Sequence, residues 1–557
     1  QKCSIVLYEK KTGKIGKIPV PDTYYVGALR SIMVMGIEPA SFDYNFEIDG
    51  KVMTDPYARR IVGREKWGEK ERFGMDYQVK SGFSTDVFDW EEDVAPEIAK
   101  KDMVMYKLHV RNFTMEGSNG GARKGTFEAV ENRIGYLRDM GVTTVEFMPF
   151  YEFEELMIPE TCELPDYVTW KEEQKTDTKK LPEVEKINCW GYTEGNYFAP
   201  KAAFTKSRQP EHALKSLIKA LHKNDMECIM EIYFPDTINQ NLMLEALRFW
   251  VMEYHVDGFR LMGANLPVRA MAQDLILCRS KLFADTIPED LLEQDYAYPH
   301  LFVYRDEFYY PLRKMLNHKE ICLTDFVNQM RKQKKYAGFV NYAASNDGFT
   351  LADVFMYSEK HNEANGENNA DGNDWNYSDN YGIEGPTRKK YIESLRKKQL
   401  RNAITAVFLA QGIPLLAAGD EIGNSQRGNN NAYCQDNAVG WVNWKNDKKY
   451  ASLQQFVKEM IAFRKAHPVL RMEEPMRMND YKGLGYPDLS FHCDSAWTVG
   501  FSPNRQSVGM LYCGLYADCE EMIYVAYNFH TGKQFLALPK LPKSKKWYKV
   551  MDTGNEN

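Results

Sequence analysis

The chain has 557 residues, enough for two to four domains. Apolar residues make up 44% and charged residues 27%, the balance of a soluble globular protein. A net charge of −7 gives no basic footprint for nucleic acid. The most apolar run, 403–419, is interrupted by Gln411, Gly412 and Pro414, so it predicts a helix end, a turn and a buried strand, not a membrane span.

In chain order, residues 1–95 predict a small β domain. Phe42, Tyr44, Phe46 and Ile48 alternate with polar residues as in a half-buried strand, and Asp49-Gly50 supplies turn chemistry. From 96 to 471 the pattern changes. DMVMYKLHV (102–110) reads as a buried strand. Phe127, Val130, Ile134, Leu137 and Met140 follow at helical spacing and stop at Gly141. Strands are predicted at 142–149, 228–234, 256–260, 281–284 and 413–419. Helices are predicted around 213–221, 242–254, 268–278 and 388–411, and one ends near 466–471. Apolar strands alternating with amphipathic helices, without a Gly-rich phosphate loop, predict a (β/α)8 TIM barrel in an α/β protein. Residues 472–557 predict an all-β domain with strands at 496–501, 508–513 and 522–529.

Two segments interrupt this rhythm. The Lys/Glu-rich stretch 166–186 predicts a surface insertion. Residues 360–387, rich in Asn, Gly and Asp, predict a functional loop over the C-terminal face of the barrel. The Asp-x-Asn-Asp run within the second segment lacks the glycine and terminal Glu of an EF-hand in place, so no metal is expected. The ten cysteines form no CxxC pair and predict reduced thiols in a cytoplasmic protein. The chain begins at Gln1, which leaves a removed targeting segment open. The 13% aromatic content fits large cores and sugar-stacking surfaces equally.

Several stretches carry a specific resemblance. YKLHVRNFT (106–114), GVTTVEFMPFYEF (141–153), WGYTEGNYFAPKAAF (190–204), NDGFTLADVFMYSEKHNEANGENNADG (346–372) and GDEIGNSQRGNNNAYCQDN (419–437) resemble the glycogen-debranching, isoamylase–pullulanase type of glycoside hydrolase family 13. FDYNFEIDGKVMTDPYARR (42–60) resembles the glycogen-binding β-sandwich module that precedes their barrel. The resemblance implies N- and C-terminal β-sandwich domains around the barrel, an α-glucan substrate such as glycogen, starch or maltooligosaccharide, cleavage at α-1,6 branches, and no cofactor.

Such hydrolysis needs a carboxylate nucleophile, a carboxylic acid nearby and polar groups that hold the sugar. The family places these at the ends of strands three, four, five and seven. At strand four, Asp-Gly-Phe-Arg-Phe-Asp is expected, the second Asp being the nucleophile. Here Asp257-Gly258-Phe259-Arg260 is followed by Leu261-Met262-Gly263. Two alignments fit: a two-residue deletion, or Met262 in the nucleophile's place. The next carboxylate, Asp274, is expected in the following helix, and strand alternation turns Asp257 away from Arg260. Strand five has Asp285 for the family's Glu acid. Strand three has Pro235-Asp236 for Asn-His, and strand seven has Asn346-Asp347 for His-Asp. Tyr192, in the WGY stretch, fits both a sugar-stacking ring and a Tyr packed under a loop. The substrate-binding set implied is Tyr192, Asp236, Arg260, Asn346 and Asp347. Asp285 takes the acid position, Asp347 the transition-state-stabilising position, and the nucleophile is absent. These departures predict a non-catalytic glucan-binding or regulatory protein that pairs with an active debranching homologue. The alternative is an α-1,6-glucan hydrolase using displaced carboxylates such as Asp236 and Asp285.

Overall fold

The computed structural model describes residues 2–555 except 28, 71–78, 86, 118–122, 158–185, 294–297, 499 and 542–543. The charged insertion expected at 166–186 and Cys162 therefore lie outside the described residues, apart from Lys186.

Eight parallel strands close into a barrel: Met105–Leu108, Thr144–Phe147, Glu227–Phe234, Gly258–Gly263, Lys281–Ala284, Leu301–Tyr304, Gly338–Asn341 and Ile413–Ala417, here strands one to eight. Strand eight pairs with strand one and closes the ring. The helices between them form by ordinary rules. Pro210–His222 starts with proline in its first turn and buries Leu214, Leu217, Ile218 and Leu221 along one face. The helical run ending at Met140 stops at Gly141, whose φ of +93° is the left-handed C-cap that glycine adopts without strain. That run is two helices, Phe127–Glu131 and Ile134–Met140, not one. The helix expected at 268–278 ends at Ala272. The Asp274 side chain accepts from the Ile276 and Leu277 amides and pairs with Arg248, so it caps a turn instead of lying in a helix.

Strands six and seven escaped the periodicity reading. The helices that follow them, Asp306–Leu316 and Leu323–Arg331, were not read either, so no strand–helix alternation marked their place. Residues 403–419 split as expected into the end of helix Lys390–Leu409 and strand eight. Among the described residues, no helix is long and apolar enough to cross a membrane.

Before the barrel, strands Cys3–Glu9, Ile15–Val20, Phe42–Ile48, Lys51–Met53, Arg60–Val62 and Lys80–Gly82 form one antiparallel sheet. In Phe42–Ile48 the strand stands as expected, but the most buried side chains are the polar ones. Asn45 donates to the Val79 carbonyl and Asp43 pairs with Lys10. After the barrel, Leu489–His492, Ser507–Cys513 and Met522–Asn528 form an antiparallel sheet. The strand expected at 496–501 is not one. Trp497 turns back with φ +64°, and its amide donates to His492 Nδ1. Of the nine described cysteines, all free, Cys189, Cys228, Cys493 and Cys513 are buried, whereas Cys278 is exposed.

Inside the barrel, Met105, Ile229, Phe283, Phe302, Val340 and Ile413 belong to one apolar cluster that plugs its centre. Two residues further along four of these strands, on the same inward face, stand Lys107, Glu231, Asp285 and Tyr304. Gly258 leaves room for this packing, since a Cβ there would lie 2.3 Å from the Lys281 carbonyl.

Candidate functional site

The C-terminal end of the barrel is filled by a charged network. Lys107 of strand one ion-pairs with Glu231 of strand three and lies 3.7 Å from Glu146 of strand two. Tyr304 of strand six donates to Glu146, and Tyr192 donates to Glu231 at 2.6 Å. Burial and the Glu231 charge, against the pull of Lys107, raise Glu146 to about 8. Burial also pushes Glu231 upward, but Lys107 and its hydrogen bonds override it and hold that carboxylate below its usual range. Lys107 is correspondingly held above the ordinary lysine value by the two glutamates, despite burial. At neutral pH, Glu146 is therefore the protonated partner and Glu231 the charged one.

Arg260 of strand four joins this network from above. Its guanidinium lies 3.7 Å from the centre of the Tyr304 ring and ion-pairs with Asp285, at the end of strand five. Arg260 is buried, while the Asp285 side chain is 67% exposed. The buried Nε and Nη1 of Arg260 have no hydrogen-bond partner.

Strands three and four pair without a bulge from Ile229↔Gly258 to Phe234↔Gly263. Tyr233 stands opposite Met262, so Met262 falls two residues beyond Arg260 on the same inward face. Strand four ends at Gly263, whose φ is +122° and where a Cβ would lie 1.9 Å from the Phe234 carbonyl. Asp257 lies at the other end of the barrel, as alternation required. It accepts from the Cys228 amide and faces His222 at 3.0 Å.

The remaining expected residues divide. Tyr192 is in the network, and Asn346 donates to its hydroxyl at 3.3 Å. Tyr192 is thus a hydrogen-bonding wall of the site, with its ring 6.1 Å from Trp190 and 6.5 Å from Tyr233. Asp347 is exposed at the rim, yet its charge reaches Lys107, Tyr192 and Tyr342 and raises the pKa of each. Asp236 is also exposed, beyond strand three, but it enters none of the described ion pairs or side-chain hydrogen bonds and is not gathered into the network. Lys107, Glu146, Glu231 and Tyr304 were missed as site residues. The signal was present: a lysine and two glutamates within otherwise apolar strand runs.

Two loops wall the site. Residues 342–389, after strand seven, carry the Asn-rich segment, and residues 418–450 follow strand eight. Buried amides join them. Asn362 donates to Asn430 Oδ1 at 2.8 Å and accepts from the Asn430 amide at 2.9 Å. Asn429 and Gln435 both donate to Asn365 Oδ1, at 2.9 and 2.7 Å. Asn430 donates to the Asn373 carbonyl at 2.7 Å. The loop therefore lies over the C-terminal face, as its position between barrel elements predicted. Among the described residues, no group of three or more His, Cys, Asp or Glu could hold a metal ion.

No family model matches the chain. It is 28% identical over 631 residues to isoamylase 3, chloroplastic, of Oryza sativa subsp. japonica, covering 99% of this chain and 76% of the relative. It is 29% identical over 533 residues to the glycogen operon protein GlgX homolog of Mycobacterium bovis, covering 77% of this chain and 70% of that protein. Its fold matches pullulanase from Paenibacillus barengoltzii, solved in complex with maltohexaose and alpha-cyclodextrin, with a TM-score of 0.68 at 19% identity. That match covers 97% of this chain and 86% of the pullulanase. In sequence the chain is similar to isoamylases and GlgX proteins, and in fold it is similar to pullulanases.

Proposed function

We propose that the protein binds α-glucan over its barrel without hydrolysing it, as a non-catalytic partner of an active debranching homologue. Met262 carries the reading. A thioether stands two residues past Arg260 on an unbroken strand, where double displacement requires a carboxylate. The other positions agree. Asp285 has a stem one methylene shorter than Glu and commits an oxygen to Arg260. Glu146 and Glu231 are fully buried and paired, so neither reaches a glycosidic oxygen. Binding needs none of the missing chemistry. The exposed carboxylates Asp285 and Asp347, with Asn346 next to Asp347, provide hydrogen-bonding groups for sugar hydroxyls. The maltohexaose bound by the related pullulanase supplies the ligand class, and a Kd on the order of 0.1–1 mM is expected for a maltooligosaccharide.

The test combines reducing-sugar release from pullulan and glycogen with retardation in a glycogen-containing gel. Retardation without release is expected. Release would favour an active hydrolase using Asp285 and Asp236, and neither response would leave a purely structural role.

A further inference from the structure

Trp375 is 69% exposed on the loop after strand seven. A lone exposed aromatic is ordinary, but this one is held in place and accompanied. Its amide donates to Asn373 Oδ1 at 2.8 Å. The Asn373 carbonyl accepts from Asn430 at 2.7 Å and from Asn376 at 2.8 Å. The indole is thus presented by the same amide web that joins the two loops. It stacks with Tyr377, ring centres 6.4 Å apart and planes 28° apart. From there, rings continue inward through Tyr310 and Tyr309 to Tyr342, with successive centres 5.6, 4.9 and 5.5 Å apart. Tyr342 lies 5.7 Å from Tyr304, the ring on which Arg260 rests. Polar groups flank the platform: Asp374 pairs with Lys360 at 2.5 Å, and Lys314 sits 4.9 Å from the Tyr377 ring centre.

An aromatic face with charged and amide groups at its edge suits one ligand chemistry in particular. A pyranose presents a face of C–H bonds, which stacks on an indole, and an equatorial belt of hydroxyls, which takes hydrogen bonds. We propose that Trp375, with Tyr377 beside it, is an outer subsite that holds an α-glucan chain at a distance from Arg260. This rests on the glucan-binding reading above and adds a length dependence to it. A chain long enough to reach both Asp347 at the barrel rim and Trp375 gains from the platform, and a short one does not.

The full-length protein and its Trp375→Ala and Trp375→Phe variants are titrated calorimetrically with maltoheptaose and maltotriose. Removing an exposed indole leaves the core intact, and unchanged thermal unfolding confirms it. The expected result is that Trp375→Ala weakens maltoheptaose about tenfold, the loss of one ring-face contact. Maltotriose changes by less than about twofold, and Trp375→Phe keeps most of the affinity. Equal maltoheptaose affinity in wild type and Trp375→Ala overturns the subsite and leaves the glucan-binding reading standing. Absence of binding to either sugar by the wild-type protein overturns both.

Discussion

The barrel centre and the loops above it are held together in opposite ways. At the centre, Lys107 pairs with Glu231 and Arg260 with Asp285 by charge, and Glu146 takes a hydrogen bond from Tyr304 between them. In the loops, Asn362, Asn365, Asn429 and Asn430 carry no charge and hydrogen-bond to backbone and to one another. An amide web is indifferent to what happens at a reacting carbon, because it fixes backbone and nothing else. A charged centre is not indifferent, since each carboxylate placed there alters its neighbours. The groove walls and the strand ends are therefore held independently, and either can change without unmaking the other.

The centre is where the largest effect is expected. Lys107→Ala leaves Glu146 and Glu231 buried together without their cation. Breaking such a pair costs about 3–5 kcal/mol. A fall in barrel unfolding temperature of many degrees is expected in differential scanning calorimetry. Lys107→Ala with a wild-type midpoint would mean that water or rearrangement already satisfies the two glutamates. In the loops, Asn362→Ala removes one donor pair and one acceptor and orphans the Asn430 amide, at about 1–3 kcal/mol. Its signature is local: faster hydrogen exchange across 360–376 with little change at strands three and four.

A third region sharpens the contrast by titrating. At the opposite end of the barrel, His222 has Nδ1 3.0 Å from Asp93 and Nε2 3.0 Å from Asp257. His255 reaches the other Asp93 oxygen at 2.8 Å and stacks on Trp90. With a carboxylate at each nitrogen, both must donate, so the ring is an imidazolium. Burial lowers its pKa, but the two aspartates outweigh burial and raise it above the usual value. A folded pKa above the unfolded one contributes stability in full below about pH 6.5, and that contribution is lost as pH rises through the raised value. Glu146, also raised, makes stability fall as pH rises from its ordinary range to about 8 and keeps it lowered above that, in wild type and variant alike. The difference between wild type and His222→Gln therefore isolates the histidine. It should be about 1–3 kcal/mol at pH 6 and shrink toward pH 9. A gap independent of pH would show that the imidazolium is not the species that holds Asp93.

The barrel was legible because apolar strands and amphipathic helices alternate from residue 102 to 284 and again from 388 to 419, although strands six and seven between them were not read. The site was legible in part. Arg260 and Asp285 meet, and Asn346 and Tyr192 meet, because each lies at the end of a strand or in a loop whose place the barrel dictates. Asp236 did not join them, since Pro235 carries the chain out of strand three just before it. Lys107 and Glu146 were hidden by their surroundings: a single charge within an apolar run reads as a strand, and only closure of the ring brings the two side by side. The strand at Leu489–His492 was missed and one at 496–501 overread, because a short apolar run does not reveal a backbone that turns at Trp497.

The smallest effect is expected where the largest might be sought. Met262→Asp places a carboxylate two residues beyond Arg260 without disturbing the strand register. It should give no pullulan hydrolysis above that of the wild-type protein. The new carboxylate arrives beside a guanidinium already paired with Asp285, on the same inward face as the charged Glu231. It must compete for Arg260, and success frees Asp285 without lengthening it. A proton donor misplaced by about 1 Å loses on the order of a hundredfold in rate. Asp236, where the family places a sugar-binding histidine, stays outside the network. Groups that act together do not add singly, so one restored member recovers little. Met262→Asp combined with Asp285→Glu is the informative next step, with reducing-sugar release from pullulan as the readout. Appreciable turnover by Met262→Asp alone would show that the surrounding charges still form a working site and that one thioether is all that silences it.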